Sequence, residues 1–286
     1  MSDKNYKMIE AKKRRNKDNI FVVVGLLFIL LSLFLAYGTR SGHFYEVMLL
    51  GLALLLWPMS KSVITLKVIW KMLIMFFFAG LFGDLLIGRL GFELWRYDLS
   101  WWGEILLYSF IYPFGGLVMA QSYVVLAKVL NRDYFSCPLK ISKKYVLKNL
   151  LMSLVMPGSL LAIGILLTIN QEMDAIFVIG CVIISLLTVI GVGVINYCLN
   201  MKQRLGFVDY LLSKPIVTCV AILSSTIINV LLHELPNLVA NQWAYNPQIF
   251  GHIDIFGLPL TMFFGWIVLA VWPSLWIFVF RNFRAK

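Results

Sequence analysis

The chain has 286 residues, of which 60% are apolar and 14% charged, and it carries a net charge of +11. Its mean hydropathy is +0.85. That balance excludes an ordinary soluble domain, because several apolar runs reach the roughly 20 residues needed to cross about 30 Å of hydrocarbon. The basic residues stand at the ends of those runs, so membrane topology explains them better than nucleic-acid binding does. The four cysteines, Cys137, Cys181, Cys198 and Cys219, are widely spaced and form no Cys-x-x-Cys pair. They read as packing residues, and no metal or cofactor is expected from them.

Residues 1–19 form a basic tail, followed by a first transmembrane half (20–138) and a second (139–286). No small-x-small cleavage pattern follows the first apolar run, so it reads as a retained anchor. The expected fold is an all-α polytopic bundle of about eight spans: 20–37, 44–59, 66–88, 105–127, 149–169, 175–198, 215–232 and 258–280. The second is short and ends at Trp57 and Pro58. With an even count and a cytoplasmic N-terminus, 22 of the 25 Lys and Arg fall on one side, leaving Arg40, Arg89 and Arg96 on the other. This is the asymmetry of a plasma-membrane protein with both termini cytoplasmic. Nine of the 14 acidic residues, and His43, His233 and His252, fall on the outer side.

Two aromatic segments share that outer side. One runs from Phe92 to Glu104 and leads into a helix carrying Pro113; the other runs from Asn241 to Trp266 and contains Pro259. Each contains Trp-x-Tyr, as Trp95 to Tyr97 and Trp243 to Tyr245, and the two tryptophans are 148 positions apart. Four spans on either side of the midpoint would give a parallel duplication about an axis along the membrane normal. The same tryptophans and tyrosines also suit an interfacial aromatic belt, so either origin stays open.

Asp84 lies inside the third span, with Gly80 and Gly88 on its helix face. Small residues at that spacing let a second helix approach, so the face is expected to meet protein. An ionisable group there is a functional candidate, although a pair with Arg89 would account for it structurally. Thr218, Ser225, Asn229 and His233 form a polar stripe on the seventh span, leading to Glu234. Ser185, Thr188, Asn196 and Asn200 form another on the sixth. Such stripes face the bundle interior, as interhelical glue or as a cavity lining. Tyr108, Tyr112, Gly115, Met119 and Ser122 share one face of the fourth span and could line an apolar cleft that favours a cation. Glu93, between Arg89 and Arg96, reads as part of a surface ion network.

The stretch Trp243 to Leu260 resembles the helix-entry motif of membrane-embedded lycopene cyclase domains. Gly257 to Trp266 is similar to the related carotenoid hydratases, and Gly88 to Tyr97 resembles their first-half motif. The resemblance implies proton addition to a terminal carbon–carbon double bond. Carried over, Asp84 or Glu234 would be the acid, with Trp95, Trp243 and Tyr245 around the cation; from their own positions in the chain, His233 is a further catalytic candidate and Tyr97, Tyr112 and Asn229 are substrate-binding candidates. The acidic pair of the cyclases is replaced by Thr261 and Met262 after Pro259, and by Phe114 and Gly115 after Pro113, which argues against a cyclase. Both segments also resemble small membrane proteins of spore-forming bacteria, which implies no activity. Three functions follow as expectations. One is a non-catalytic envelope scaffold or sensor with an outer aromatic and acidic site, binding membrane lipids such as a long apolar isoprenoid, or other membrane proteins. The others are an isoprenoid-type enzyme and a transporter.

Overall fold

The computed structural model describes residues 3–81, 85, 93, 95–97, 99–136, 191, 193–202, 204–246, 254–255 and 258–282. Most of them are helical. Helix α1 (Asp3–Leu33) ends in a π turn (Phe34–Gly38), and α2 (Phe44–Ser60) and α3 (Leu66–Ala79) follow. Strand β1 (Trp95–Tyr97) precedes the long α4 (Trp101–Leu130) and a 3-10 turn (Tyr134–Ser136). After a helical stretch over 193–201 come α5 (Phe207–Ser213), α6 (Pro215–Ala240), β2 (Trp243–Tyr245), β3 (Asp254–Ile255), β4 (Leu258–Pro259) and α7 (Leu260–Asn282). The tail predicted over 1–19 thus continues into α1 as one helix. The expected fifth span, most of the sixth, and Asp84 and His252 lie outside the described residues.

Among the described residues, three stretches are long and apolar enough to cross a membrane: Asn16–Gly38, Trp101–Leu130 and Pro215–Ala240. Phe44–Ser60 and Ala270–Arg281 are shorter apolar helices.

Helix α4 is the hub, packing against α2, α3, α6 and α7, while α1 packs along α2. Two close approaches explain these pairings. At the α1–α2 crossing, a Cβ on Gly25 would lie 2.7 Å from Leu55 N, and one on Gly51 would lie 2.9 Å from Gly25 O. The neighbours are backbone, so the two helices touch main chain to main chain. Helices α3 and α4 interlock reciprocally. The Phe76 ring fills the space over Gly116 and the Tyr112 ring fills that over Gly80, each about 2.5 Å from where a Cβ would stand. The face of Gly80 therefore meets protein, as its spacing predicts.

Local chemistry sets the helix ends. Ser100 Oγ accepts from Gly103 N at 3.3 Å and caps α4. Pro215 opens α6, where its missing N–H costs nothing. Asn241 ends α6 in the left-handed region at φ 53°, its N–H donating to Asn237 O at 2.7 Å. The seventh span was expected to stop at 232, with His233 and Glu234 entering a loop. The helix instead continues to Ala240, carrying both side chains on its last turns.

Helix α6 is polar on its buried side. Thr218, Ser225, Asn229 and His233 are buried, while Ile216, Val220, Leu223, Ile227 and Leu231 are exposed on the other side. That pattern suits a helix with hydrocarbon outside and hydrogen-bonding neighbours inside. The bundle has two chemically distinct ends. At one, Lys128 Nζ donates to Met59 O at 2.9 Å, Lys214 Nζ to Asp133 O at 3.3 Å, and Lys61 bonds Asp18. Tyr134, Tyr123 and Thr218 form a hydroxyl chain there, with Tyr134 Oη 2.8 Å from Tyr123 Oη and 2.6 Å from Thr218 Oγ1. Burial pushes the Tyr134 phenol up to about 12. Asn196 Oδ1 accepts from Val208 N at 3.2 Å and Asn200 Nδ2 donates to Asp209 at 3.1 Å, the interhelical role expected of that stripe. The aromatic segments gather at the opposite end.

Candidate functional site

Strands β1 and β2 pair antiparallel, with Trp95 opposite Tyr245, Arg96 opposite Ala244 and Tyr97 opposite Trp243. The two Trp-x-Tyr copies, read as separate loops from the sequence, are thus one ribbon. The register is symmetric about the Arg96–Ala244 pair, so each tryptophan faces the other copy's tyrosine. Asn246 Nδ2 donates to Glu93 O at 3.2 Å and extends the pairing.

Asn237 holds β2 against the end of α6. Its Oδ1 accepts from Gln242 N at 2.9 Å and Trp243 N at 3.1 Å, and its Nδ2 donates to Trp243 O at 2.9 Å. One side-chain amide thereby replaces the ladder partners that the short strand lacks. Helix α6 then places Glu234 directly under the ribbon.

Glu234 is fully buried. Its Oε1 accepts from Tyr245 Oη at 2.5 Å and from Trp266 Nε1 at 3.0 Å, and its Oε2 accepts from Trp243 Nε1 at 3.3 Å. The donors come from β2 and α7, so one carboxyl group ties three elements together. All three are neutral aromatic groups. Burial first, and then the Glu234 carboxylate, push the Tyr245 phenol well above its usual range, which keeps it a hydrogen-bond donor.

His233 is buried on the adjacent position, its ring stacked on Trp266 at 5.6 Å and meeting the Tyr45 ring edge-on at 4.8 Å. Its Nδ1 lies 2.6 Å from Asn229 O. One turn below, Asn229 Nδ2 donates to Ser225 O at 2.7 Å and to Ser122 Oγ of α4 at 3.4 Å. Phe44 and Tyr45 close the cluster from α2, with centroids 6.0 Å and 4.9 Å from Trp243.

The structure therefore brings together Glu234, His233, Asn229, Trp243, Tyr245, Trp95 and Tyr97. Trp95 Nε1 donates to Tyr108 Oη at 2.7 Å, and Tyr97 lies 6.4 Å from Trp243. Tyr112 joins indirectly, stacked on Tyr108 at 5.5 Å while its ring fills the notch at Gly80. One expectation needs correction. Trp243 is not a belt residue: it is 6% exposed, whereas Trp102, at 72%, has the exposure a belt needs. On the face of α4 expected to line a cleft, Tyr108, Met119 and Ser122 are buried, while a Cβ on Gly115 would meet nothing within 4 Å. Glu93 does bond Arg96, at 3.0 Å on the surface.

Sequence reasoning missed Tyr45, Asn237 and the donor role of Trp266. Asn237 carried a usable signal, since an asparagine four residues before the helix-ending Asn241 suits side-chain bonding to a turn. The other two depend on which helices neighbour α6, which spacing within one segment does not encode.

Chemically, the arrangement is a buried carboxyl group and imidazole walled by aromatic rings, at the end of the bundle opposite Lys61, Lys128 and Lys214. No family model matches the chain, and neither the curated proteins nor the solved structures contain a match.

Proposed function

We propose that the protein is a plasma-membrane protein of eight spans, with both termini cytoplasmic, that binds a long apolar lipid at its outer face and acts there as a non-catalytic scaffold or sensor. The observation that carries the reading is the enclosure of Glu234 by Trp243, Tyr245 and Trp266 beneath the paired Trp-x-Tyr ribbon. The orientation is supported by Lys61, Lys128 and Lys214 collecting at the opposite end, where the positive-inside rule places the cytoplasm. The lipid is supported by the wall chemistry: Phe44, Tyr45, Trp243 and Trp266 offer apolar faces beside a few fixed polar groups, the usual make-up of a site for an apolar ligand. The resemblance of Trp243 to Trp266 to carotenoid-type enzymes makes a polyisoprenoid the first candidate. Saturation of Glu234 by three donors favours a fixed binding platform over a freely exchanging acid.

The test is mass spectrometry of lipids that copurify with the detergent-extracted protein, compared with Glu234→Gln and Asp84→Asn variants. A stoichiometric apolar lipid that is lost from Glu234→Gln supports the reading. Bulk phospholipid alone, unchanged between the proteins, contradicts it.

One observation favours an enzyme as the second reading. His233 Nε2 has no hydrogen-bond partner among the described residues, so a proton acceptor sits beside a carboxyl group. In that reading Glu234 or Asp84 delivers a proton to a terminal double bond. The resulting carbocation loses a proton after ring closure, or is captured by water whose added oxygen then loses a proton; in either case the proton released restores the acid. Normal turnover of an acyclic polyene by both Glu234→Gln and Asp84→Asn would eliminate it.

A further inference from the structure

The inner edge of the Glu234 cluster has a one-sided hydrogen-bond account. His233 Nδ1 lies 2.6 Å from Asn229 O. A backbone carbonyl only accepts, so in the neutral ring the hydrogen sits on Nδ1 and Nε2 is a lone pair. Asn229 Nδ2 gives one hydrogen to Ser225 O and the other to Ser122 Oγ. The amide orientation is thereby fixed, and Oδ1 is left as an acceptor. Among the described residues neither His233 Nε2 nor Asn229 Oδ1 has a partner, although both residues are 99% buried. Glu234 beside them also accepts, and its three donors are spent on it. Close to His233, acceptors are thus in excess among the described residues; the buried hydroxyls that also have no partner there, Ser225 and Thr226, stand about two turns away on α6. A buried acceptor left unmet is costly, so the site is shaped for something that brings an N–H or O–H.

The surroundings restrict what can bring it. The imidazole is flanked by the faces and edges of Tyr45 and Trp266, so the donor must be carried on an apolar body. A phosphate or carboxylate end would set acceptors against acceptors and negative charge beside Glu234. A bare hydrocarbon or an ether supplies no hydrogen.

We infer that the ligand is a long-chain alcohol, whose terminal hydroxyl donates to His233 Nε2 while its chain lies against the aromatic walls. This rests on the lipid-binding reading and specifies the ligand's polar end.

The test uses the full-length protein in detergent with four probes that share one C20 chain: geranylgeraniol, its methyl ether, its amine and its monophosphate. The alcohol is expected to bind roughly tenfold more tightly than the ether, the effect of one buried hydrogen bond. His233→Leu is expected to bring alcohol and ether to equal affinity. The wild-type ratio decides the matter even where that variant fails to fold. Equal binding of alcohol and ether by the wild type overturns the inference and leaves the lipid-binding reading in place. Tighter binding of the amine or the monophosphate overturns it in favour of a charged end group. Binding of none of the four sinks the lipid-binding reading itself.

Discussion

Tyr245→Phe removes one oxygen atom and leaves the ring in place, which makes it the cleanest probe of the Glu234 cluster. The hydroxyl is the shortest of the three donors to the carboxyl group, at 2.5 Å against 3.0 Å and 3.3 Å for the two indoles. A hydrogen bond to a charged group contributes about 1.5–3 kcal/mol, and one between neutral groups about 0.5–1.5 kcal/mol. Loss of the hydroxyl should therefore cost about 2 kcal/mol in the wild type and about 1 kcal/mol in a Glu234→Gln background. The difference of about 1 kcal/mol is the coupling that a double-mutant cycle reads. For a chain of this size, 1 kcal/mol corresponds to roughly 2–4 °C in Tm, so Tyr245→Phe alone should lower the apparent Tm by about 4–8 °C. Unfolding of detergent-solubilised protein followed by tryptophan fluorescence provides the assay, since Trp243 and Trp266 bond the same carboxyl group. A Tm unchanged within 1–2 °C, or an equal drop in both backgrounds, would refute the reasoning, because the hydroxyl would then be doing nothing for Glu234.

Asn237→Leu keeps the side-chain volume but strands Gln242 N, Trp243 N and Trp243 O. It should cost about 3 kcal/mol or more and release the ribbon, read as faster amide exchange at 242–245. Gly51→Ala should separate α1 from α2, because its Cβ meets Gly25 O at 2.9 Å and Ile29 N at 3.0 Å; a drop in Tm larger than that of Gly115→Ala, which meets nothing within 4 Å, checks it. The Tyr134 phenol is pushed up to about 12 by burial, so the unfolded chain ionises first as pH rises. Stability from this group is complete below about pH 10, the unfolded value, and is lost as pH rises towards the folded one. Tyr134→Phe should therefore flatten the alkaline limb of a Tm-versus-pH curve, and an unchanged limb would show that the ring is not the cause.

Much of this architecture is legible in the sequence, for identifiable reasons. Apolar run length marks where helices α4 and α6 lie, because hydrocarbon thickness fixes span length. The stripe of Thr218, Ser225, Asn229 and His233 shows which side of α6 faces inward, because polar groups in a span seek protein partners. The charge split likewise anticipates that the two Trp-x-Tyr copies share one end of the bundle. What it does not contain is their pairing. Antiparallel register between segments 148 positions apart depends on how α4 and α6 pack, and three-residue strands carry no alternating pattern long enough to announce it. The extension of α6 past His233 is obscured by Pro236, which is tolerated here inside the helix. The reciprocal notches of Gly80 with Tyr112 and Gly116 with Phe76 are also invisible, since each glycine alone has many uses.

The pairing of the two aromatic segments over Glu234 is the claim on which the site depends, and one crosslink tests it directly. Arg96 and Ala244 stand opposite each other at the centre of the ribbon, and both are exposed. Opposed residues in an antiparallel pair have Cβ atoms about 4.5–5.5 Å apart, within or near the reach of a disulfide. The measurement is oxidation of an Arg96→Cys, Ala244→Cys double variant in which the four native cysteines are replaced by serine, followed by peptide mapping. A 96–244 disulfide formed in high yield, and reduced when Asn237→Leu is added, is the predicted result. Absence of that disulfide in protein that remains folded and extractable would contradict the account.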